Sequence, residues 1–564
     1  MRDWIFLLGL FLLIGAAPGC QPRGDEGVVD AGEADDVQDS ADTGQPDGDS
    51  LWRSALYPED WQPADTDEEG RFLHDFSYAG YRNGESLPAL DSAYDVDVTD
   101  FGADREGQQD ATEAIQQAID MAVDLGGGVV YFPEGIYRVD DVLRVEGSSV
   151  VLRGQGPQRS QVYFTRHQEM SYSGHITFAG APQVIDEVPL AQDVEARSQW
   201  IAVDDAGPFE VGDDVELGWI ISDEFVADHQ MTGIWQAFNG QWQTFFRRTV
   251  VDVDADSSPP RVRVDVPTRY EARRRDQAAL RKVSGMLSEV GVEALGLANA
   301  VDPDAAWEQS QVHLIEFHGV KDGWMRQVES FRPPGLSDDG QEGHLQSSGI
   351  LIADGKRFTL ADLVLENAQH RGPGGNGYLF EIRRSNEILI RDSLGRNGRH
   401  NFTQNWGFGT TGCVWLRVTS EGGRAYSSQS GGFRPVAHSD FHHSLATANL
   451  IDASVLNDGW SAVNRQSMSG GAGHTATENV FWNSGGDGLL RSLQFGWGYI
   501  IGTGKDLTVE TEIRDEWGGF EELGDLAAWE HTAPRDYMEG LGKAETLRPQ
   551  SLYESQRRRR LGHQ

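Results

Sequence analysis

From residue 128 onward this chain repeats one motif: a short β-favouring run, a turn, then another short run. Val129, Val130, Tyr131 and Phe132 form the first and are closed by Pro133 and Gly135. Others follow at 136–139, 142–145 and 150–153, and later at 312–317, 349–353, 359–365, 378–382, 388–391, 413–418, 449–456, 479–482 and 499–502. From Leu363 to Ile388 to Cys413 the step is about 25 residues. Strands this short cannot bury a face alone; at such a period they do so by stacking coil on coil into a solenoid. The end coil needs a cover, and the sequence predicts a helix there. Asp110 is placed to N-cap it, with Glu113 three residues on completing a capping box. Ile115, Ala118, Ile119, Ala122 and Val123 make one apolar stripe, and Gly126 supplies the stop.

The pattern is interrupted between 167 and 290. Runs at 200–203, 214–219, 249–253 and 261–264 alternate apolar and polar residues, as strands exposed on one face do. This predicts a small inserted antiparallel β subdomain, whose stretch 225–246, rich in Trp, Phe and Gln, is expected to lean over a groove. The remaining organisation reads as a lipoprotein-type signal peptide at 1–20, a disordered acidic tether at 21–50 and an N-terminal extension at 51–94. First coils and capping helix then occupy 95–166, main coils 291–520, and a C-terminal tail and cap 521–564. In the leader, Arg2 precedes an apolar run and small residues lead to Cys20, the expected lipidation site. Gln21 after it resembles lipoproteins sorted to the outer membrane of Gram-negative cells, with plain secretion as the alternative. The formal net charge of −42 excludes a nucleic-acid partner and leaves the lipid as the only contact with a membrane. Cys413, in an apolar run, is read as a buried packing thiol. Asn386, Asn449 and Asn479, at strand starts, are read as turn residues that stack between coils. The four arginines from Arg557 are read as a solvated face of a terminal helix.

Asp100-Phe101-Gly102-Ala103, the helix with its glycines, Gly135-Ile136-Tyr137 and Val151-Leu152-Arg153-Gly154 together carry a resemblance. They resemble the opening of the pectate lyase superfamily, in its rhamnogalacturonase/epimerase-like group. The resemblance implies an all-β, right-handed parallel β-helix. It does not imply one reaction, since lyases, hydrolases, epimerases and phage tailspikes share this opening. The Asn-x-Asp, Asp-Asp, Gly-His-Gly and Arg-x-Lys residues of polygalacturonases are not found here in that order, nor is the acidic cluster of calcium-dependent pectate lyases.

The chemistry is expected in 367–500. This window holds eleven Arg, no Lys and nine Asp plus Glu, so it is locally +2 on a very acidic chain. Such a stretch suits an anionic sugar. β-Elimination on a uronate needs a base for the C5 proton, an acid for the leaving oxygen and a cation for the carboxylate. His443 or His400 is the expected base, Arg465 or Arg399 the carboxylate clamp, and His474 and Glu381 are further catalytic candidates. His442, Asn464, Asp440 and Arg383 complete the expected substrate contacts. With Ile388, Leu450 and Val480 placed one above another, Glu381 and His443 fall in the same column. No metal ligand set or cofactor is read from the motifs, and a calcium requirement stays open. The expectation is a secreted or surface-anchored enzyme cleaving an acidic polysaccharide, by lyase rather than hydrolase chemistry. The alternatives are a non-catalytic glycan-binding or surface-structural solenoid, and a C5-epimerase.

Overall fold

The structure, a computed structural model, describes residues 50–336, 342–429, 431–434, 437–512 and 535–562. The expected signal peptide with Cys20, the tether up to residue 49, and 521–534 of the tail lie outside these residues.

The short strands stack in parallel into three ladders, so the fold is a parallel β-helix. The first ladder climbs from Val96–Asp97 through Gly128–Tyr131, Val150–Arg153 and Gly291–Glu293 to Leu389–Arg391, Val414–Leu416, Leu450–Asp452, Val480–Ser484 and Tyr499–Thr503. It continues past residue 520, to Tyr537–Glu539. The second includes Gly135–Val139, Ser160–Phe164, Leu394–Arg396 and Thr419–Glu421. The third runs from Leu143–Val145 through Gly174–Ala179, His313–His318, Ser348–Ala353, Tyr378–Arg383, His400–Gln404, Ser439–Phe441 and Trp460–Ala462 to Leu489–Ser492 and Thr508–Glu510. Side chains pointing inward build one continuous apolar core. Like rings stack from coil to coil, as Phe380 does on Phe402 with centroids 4.7 Å apart.

The helix, Thr112–Asp124, buries Ile115, Ala118, Ile119 and Ala122 over the first coils. Its cap differs from expectation. Asp110 lies one residue too early and accepts from the Thr112 N–H at 3.0 Å, while Glu113 accepts from Gln117 Nε2 instead of closing a box. The coil step also differs. Leu363 does not sit below Ile388; Thr359 pairs with Leu389, 30 residues on, and only the next step, to Val414, is 25.

The interruption is a six-stranded antiparallel sheet from Gln183–Pro189 to Ala279–Ser284. Gly174–Ala179, which we assigned to the insertion, is instead a coil strand of the third ladder. The insert has its own apolar core, distinct from that of the coils, and takes in Phe408 and Leu445 from the coil loops. Buried ion pairs fix the junction: Arg269 to Glu387 at 2.8 Å and Lys356 to Asp214 at 2.7 Å.

At the corners Asn449 and Asn479 stack as expected, by an amide ladder, while Asn386 donates instead to Thr411 Oγ1 and the Phe245 carbonyl of the insert. The Cys413 N–H donates to Asn449 Oδ1, Asn449 Nδ2 to Asn479 Oδ1 and Asn479 Nδ2 to Gln494 Oε1, at 2.9, 2.9 and 3.0 Å. The left-handed backbone is carried by their neighbours Glu387, Ala448 and Glu478 rather than by the asparagines. Cys413 is buried beside this ladder, and burial pushes its thiol pKa up.

The outer face of the first ladder is covered. Leu56, Tyr57, Trp61 and Phe76 of the extension join Leu552 and Tyr553 of the terminal helix Leu552–Leu561 over Val414, Leu450 and Trp482. Arg558 and Arg559 are exposed, as expected of a solvated face, while Arg557 and Arg560 are half-buried against the extension, Arg560 donating to the Ser77 carbonyl at 2.8 Å.

The amide ladder gives a direct stability test. Asn479→Ala leaves the Asn449 amide and N–H without their buried acceptor, which costs about 1–3 kcal/mol. Urea unfolding of the variant is expected to show a lower midpoint at unchanged slope, with a native circular dichroism spectrum before the transition.

Candidate functional site

The third ladder brings most of the candidate residues together. Register places Glu381, Thr403, Asp440 and Ser461 in one column. Glu381 therefore stacks toward Asp440, and the expected partner in its column, His443, lies beyond the strand end. Asp440 is 5% exposed and accepts from Thr403 Oγ1 at 2.7 Å. Its second oxygen lies 2.6 Å from His442 Nδ1. The pair is an Asp–His dyad: the carboxylate holds the proton on Nδ1 and leaves Nε2 as the lone-pair nitrogen. Nε2 faces the Tyr378 hydroxyl at 3.3 Å and Ser469 Oγ at 3.4 Å. The ring of His400 lies 5.1 Å from both Tyr378 and His442, and its Nδ1 bonds the His438 carbonyl.

Two guanidinium groups flank the dyad. Arg465 NH1 donates to the His442 carbonyl at 2.7 Å and stands 4.0 Å from Asp440 Oδ2. Arg399 lies over the Tyr378 ring at 5.9 Å and donates to the Gly372 carbonyl. Burial, then Arg465 and Arg399, hold His442 well below the usual imidazole range, so it is neutral at pH 7. Burial takes His400 down to about 3 against the pull of Asp440. Burial also raises the Tyr378 phenol to about 12, so it stays protonated. The arrangement thus has a neutral base, a phenol that can donate and two cations.

Glu381 belongs to an adjacent cluster. It takes Arg383 Nε at 2.5 Å, Asn405 Nδ2 at 2.8 Å and His313 Nε2 at 3.2 Å. Burial alone would raise its carboxyl, but Arg383 and His313 bring it to about 2. It is a paired anion, unsuited to donate a proton.

The other expected residues serve the loops. His443 is 0% exposed, its ring lying 4.5 Å from Trp406 and 5.5 Å from Phe238, with Nδ1 on Ser444 Oγ. Its Nε2 lies 3.2 Å from the Ser469 carbonyl, so both ring nitrogens are engaged within the loop. The His474 ring lies 5.0 Å from Phe495, and the backbone N–H of His474 donates to Met231 Sδ of the insert. Asn464 Oδ1 accepts from the Gln466 N–H and closes a turn. The insert clamps this loop: Trp235 Nε1 donates to the Ala472 carbonyl at 3.1 Å. At Gly471, φ is +93° and a Cβ would come within 2.1 Å of the Ile234 carbonyl, so only glycine fits. The expected lean of 225–246 is thus a contact with the loop that carries Ser469. Ser469 is exposed and Arg465 half-buried, and the cluster meets solvent there.

Tyr378 and Trp406 escaped the sequence reading. Trp406 is 44% exposed, with φ +43°, an outlier for a bulky residue. A lone tryptophan in the Gly-rich run 405–409 was the available signal.

His400, Asp440 and His442 each offer a ligand atom, all within 4.8 Å of one another. Two imidazoles and a carboxylate suit a transition metal rather than calcium, which prefers oxygen donors. The 2.6 Å contact between Asp440 and His442 is a hydrogen bond, closer than two ligands sit around an ion, so the dyad describes the pair better.

Residues 96–187 match the family model described as "Rhamnogalacturonase A/epimerase, pectate lyase-like". Alginate lyase 7 of Azotobacter vinelandii is 56% identical over 45 residues, 8% of this chain and 5% of the relative. The plasmin and fibronectin-binding protein A of Streptococcus pneumoniae is 30% identical over 111 residues, 20% of this chain and 14% of the relative. This chain therefore spans a small part of the curated relatives it matches. Among solved structures, the Gp54 tailspike of Acinetobacter baumannii bacteriophage AP22 aligns with 74% of this chain and 58% of its own, at 13% identity and a TM-score of 0.44. The first coils thus carry the rhamnogalacturonase A/epimerase-type, pectate lyase-like sequence that the opening motif resembles, and they carry it on a parallel β-helix.

Proposed function

We propose that this protein acts on a uronate-containing polysaccharide by removing the C5 proton of a sugar next to its carboxylate. The observation that carries this reading is the dyad itself: a neutral His442, oriented by Asp440, with its free nitrogen against a phenol and between two arginines. His442 Nε2 takes the proton. Arg465 and Arg399 neutralise the carboxylate as charge moves onto it, the largest barrier in such chemistry. Tyr378 supplies the compensating proton. Delivered to the glycosidic oxygen, it completes a β-elimination with acid and base on the same face of the sugar, as their 3.3 Å separation requires. Trp406 offers an exposed ring beside the site on which a sugar can stack.

Hydrolysis is less well supported, because it needs two carboxylates across the bond, one of them protonated. Glu381 is a paired anion. Asp458, raised to about 6 by burial, is held in a corner by Ser420, Asn401 and the Gly423 N–H. Similarities of equal length to an alginate lyase and to mannuronan C5-epimerases accord with C5-proton chemistry on a uronan and do not separate elimination from epimerisation. A lipoprotein-type leader ending at Cys20 accords with a polymer met outside the cell.

The test is a panel of acidic glycans followed by ultraviolet absorbance for unsaturated uronate, and by proton NMR for epimerisation without cleavage. No change in either signal on any uronan would overturn the reading. On the substrate that responds, His442→Ala is expected to lower the rate by ~10²–10⁴. Tyr378→Phe should lose turnover while keeping the fold. The pH profile follows from the sign of the shift. The base works only when neutral and its pKa is lowered, so the acid limb is expected below pH 6.5, the ordinary imidazole value. No basic limb from Tyr378 is expected until about pH 12.

A further inference from the structure

A second recess lies at the leading end of the third-ladder strands, across the loop 367–377 from the dyad. It is a cavity of about 490 Å³ lined by Trp307, Asn367, Arg371, Asn397, Arg424 and Tyr426, among others. Among the described residues its charged lining is Arg371, Arg424 and Glu342, on a chain whose net charge is −42.

Arg371 is the unusual member. Arg383, Arg384, Arg391, Arg396 and Arg417 on these coils each hold a carboxylate within 2.6 Å. Among the described residues no carboxylate pairs with Arg371. It donates to the Asn397 carbonyl at 3.2 Å and the Tyr426 hydroxyl at 3.4 Å, and lies over the Tyr426 ring at 4.7 Å. Its Nε is buried without a partner. Burial lowers its pKa, and the nearby Arg424 charge adds to that. A half-buried cation beside a like charge is an expensive arrangement that an anion would relieve. Arg399 repeats the pattern one step nearer the dyad: among the described residues no carboxylate pairs with it, and its side chain lies against Gly377, as that of Arg371 does.

Arg371 and Arg399 both lie against Gly377, Arg399 lies over the Tyr378 ring and Tyr378 meets His442, so a chain of contacts leads from the cavity to the dyad. The half-buried indole of Trp307 and the ring of Tyr426 supply apolar faces, and Asn367 and Asn397 supply amides, the mixture a pyranose needs.

We propose that this cavity is a binding subsite for a further uronate of the polymer, whose carboxylate Arg371 takes, so that the enzyme reads a run of acidic sugars. The proposal rests on the reading of the dyad as the reacting site. It makes the protein selective for consecutive uronates over chains in which every second sugar is neutral.

The test measures binding of end-labelled uronan oligomers of graded length to the full chain, with KM and kcat on the matching polymer. The probes are mannuronate, guluronate and galacturonate oligomers, with the carboxyl-reduced oligomers as neutral controls. Arg371→Gln is expected to raise KM about tenfold with kcat little changed. The effect should vanish on oligomers too short to reach the cavity, and Arg371→Lys should restore part of the affinity. Gln429→Glu, at the exposed rim of the same cavity, adds a repelling charge without disturbing a buried group and should act in the same direction. Wild-type affinity in both Arg371→Gln and Gln429→Glu, for an oligomer that the wild type binds, overturns the subsite and leaves the dyad reading intact. Absence of binding and turnover with every uronan in the wild type overturns both.

Discussion

The parallel stacking of coils at one strand spacing is the constraint on which the rest of this structure depends. Every residue on a coil faces its counterparts about 4.8 Å above and below. Inside, this turns like residues into stacks, as with Phe178, Phe317, Phe380 and Phe402. Outside, it forces charges into columns. Glu316, Glu381 and Asp440 share one column of the third ladder, and a column of anions is tolerable only if each finds its own cation or donor. Glu316 and Glu381 share His313, Glu381 adds Arg383, and Asp440 has Thr403 and His442. The dyad is one solution to a problem the fold itself creates.

The second consequence concerns loops. Stacking fixes strands but leaves the corners free to grow, and here the corners hold the site. Grown loops need support that the coils do not give, and the insert provides it. Its strands share a core with Phe408 and Leu445, while Trp235 and Ile234 press on the loop that carries Ser469. The extension and terminal helix meanwhile pack over Val414, Leu450 and Trp482 of the first ladder. What looks like decoration on a solenoid therefore holds the loops of the candidate site in place.

This division explains what the sequence revealed and what it hid. Strand positions were legible, because a β-favouring run between turn residues has few other readings; Tyr378–Arg383 and Val480–Ser484 begin at or within one residue of expectation. Register was not legible, because it depends on corner length. The steps along the third ladder are 22 residues from Tyr378 to His400, 37 from Thr403 to Asp440 and 21 from Asp440 to Ser461. No single period recovers that column, so Glu381 was aligned with His443. The neighbours His442 and His443 then diverge by simple alternation, one turned to the Asp440 cluster and the other packed under the insert. The charge balance of 367–500 marked the right region because it needs no register. Tyr378 was hidden because an aromatic in an apolar strand reads as core.

The acidity of the chain bears on how a polyanion would reach this site. A surface of net charge −42 repels a uronan over most of its extent. At physiological salt that repulsion decays within about 8 Å, so it disfavours contact without forbidding approach. Attraction must then be local, and local attraction requires cations not already spent on the protein's own carboxylates. Most arginines on these coils are spent in that way. Among the described residues Arg371 and Arg399 are not, Arg465 is only loosely, and a chain of contacts joins all three to the dyad. On the proposed reading, the acidic exterior is then part of specificity: it leaves a polymer one favourable line along which to lie, and that line crosses His442.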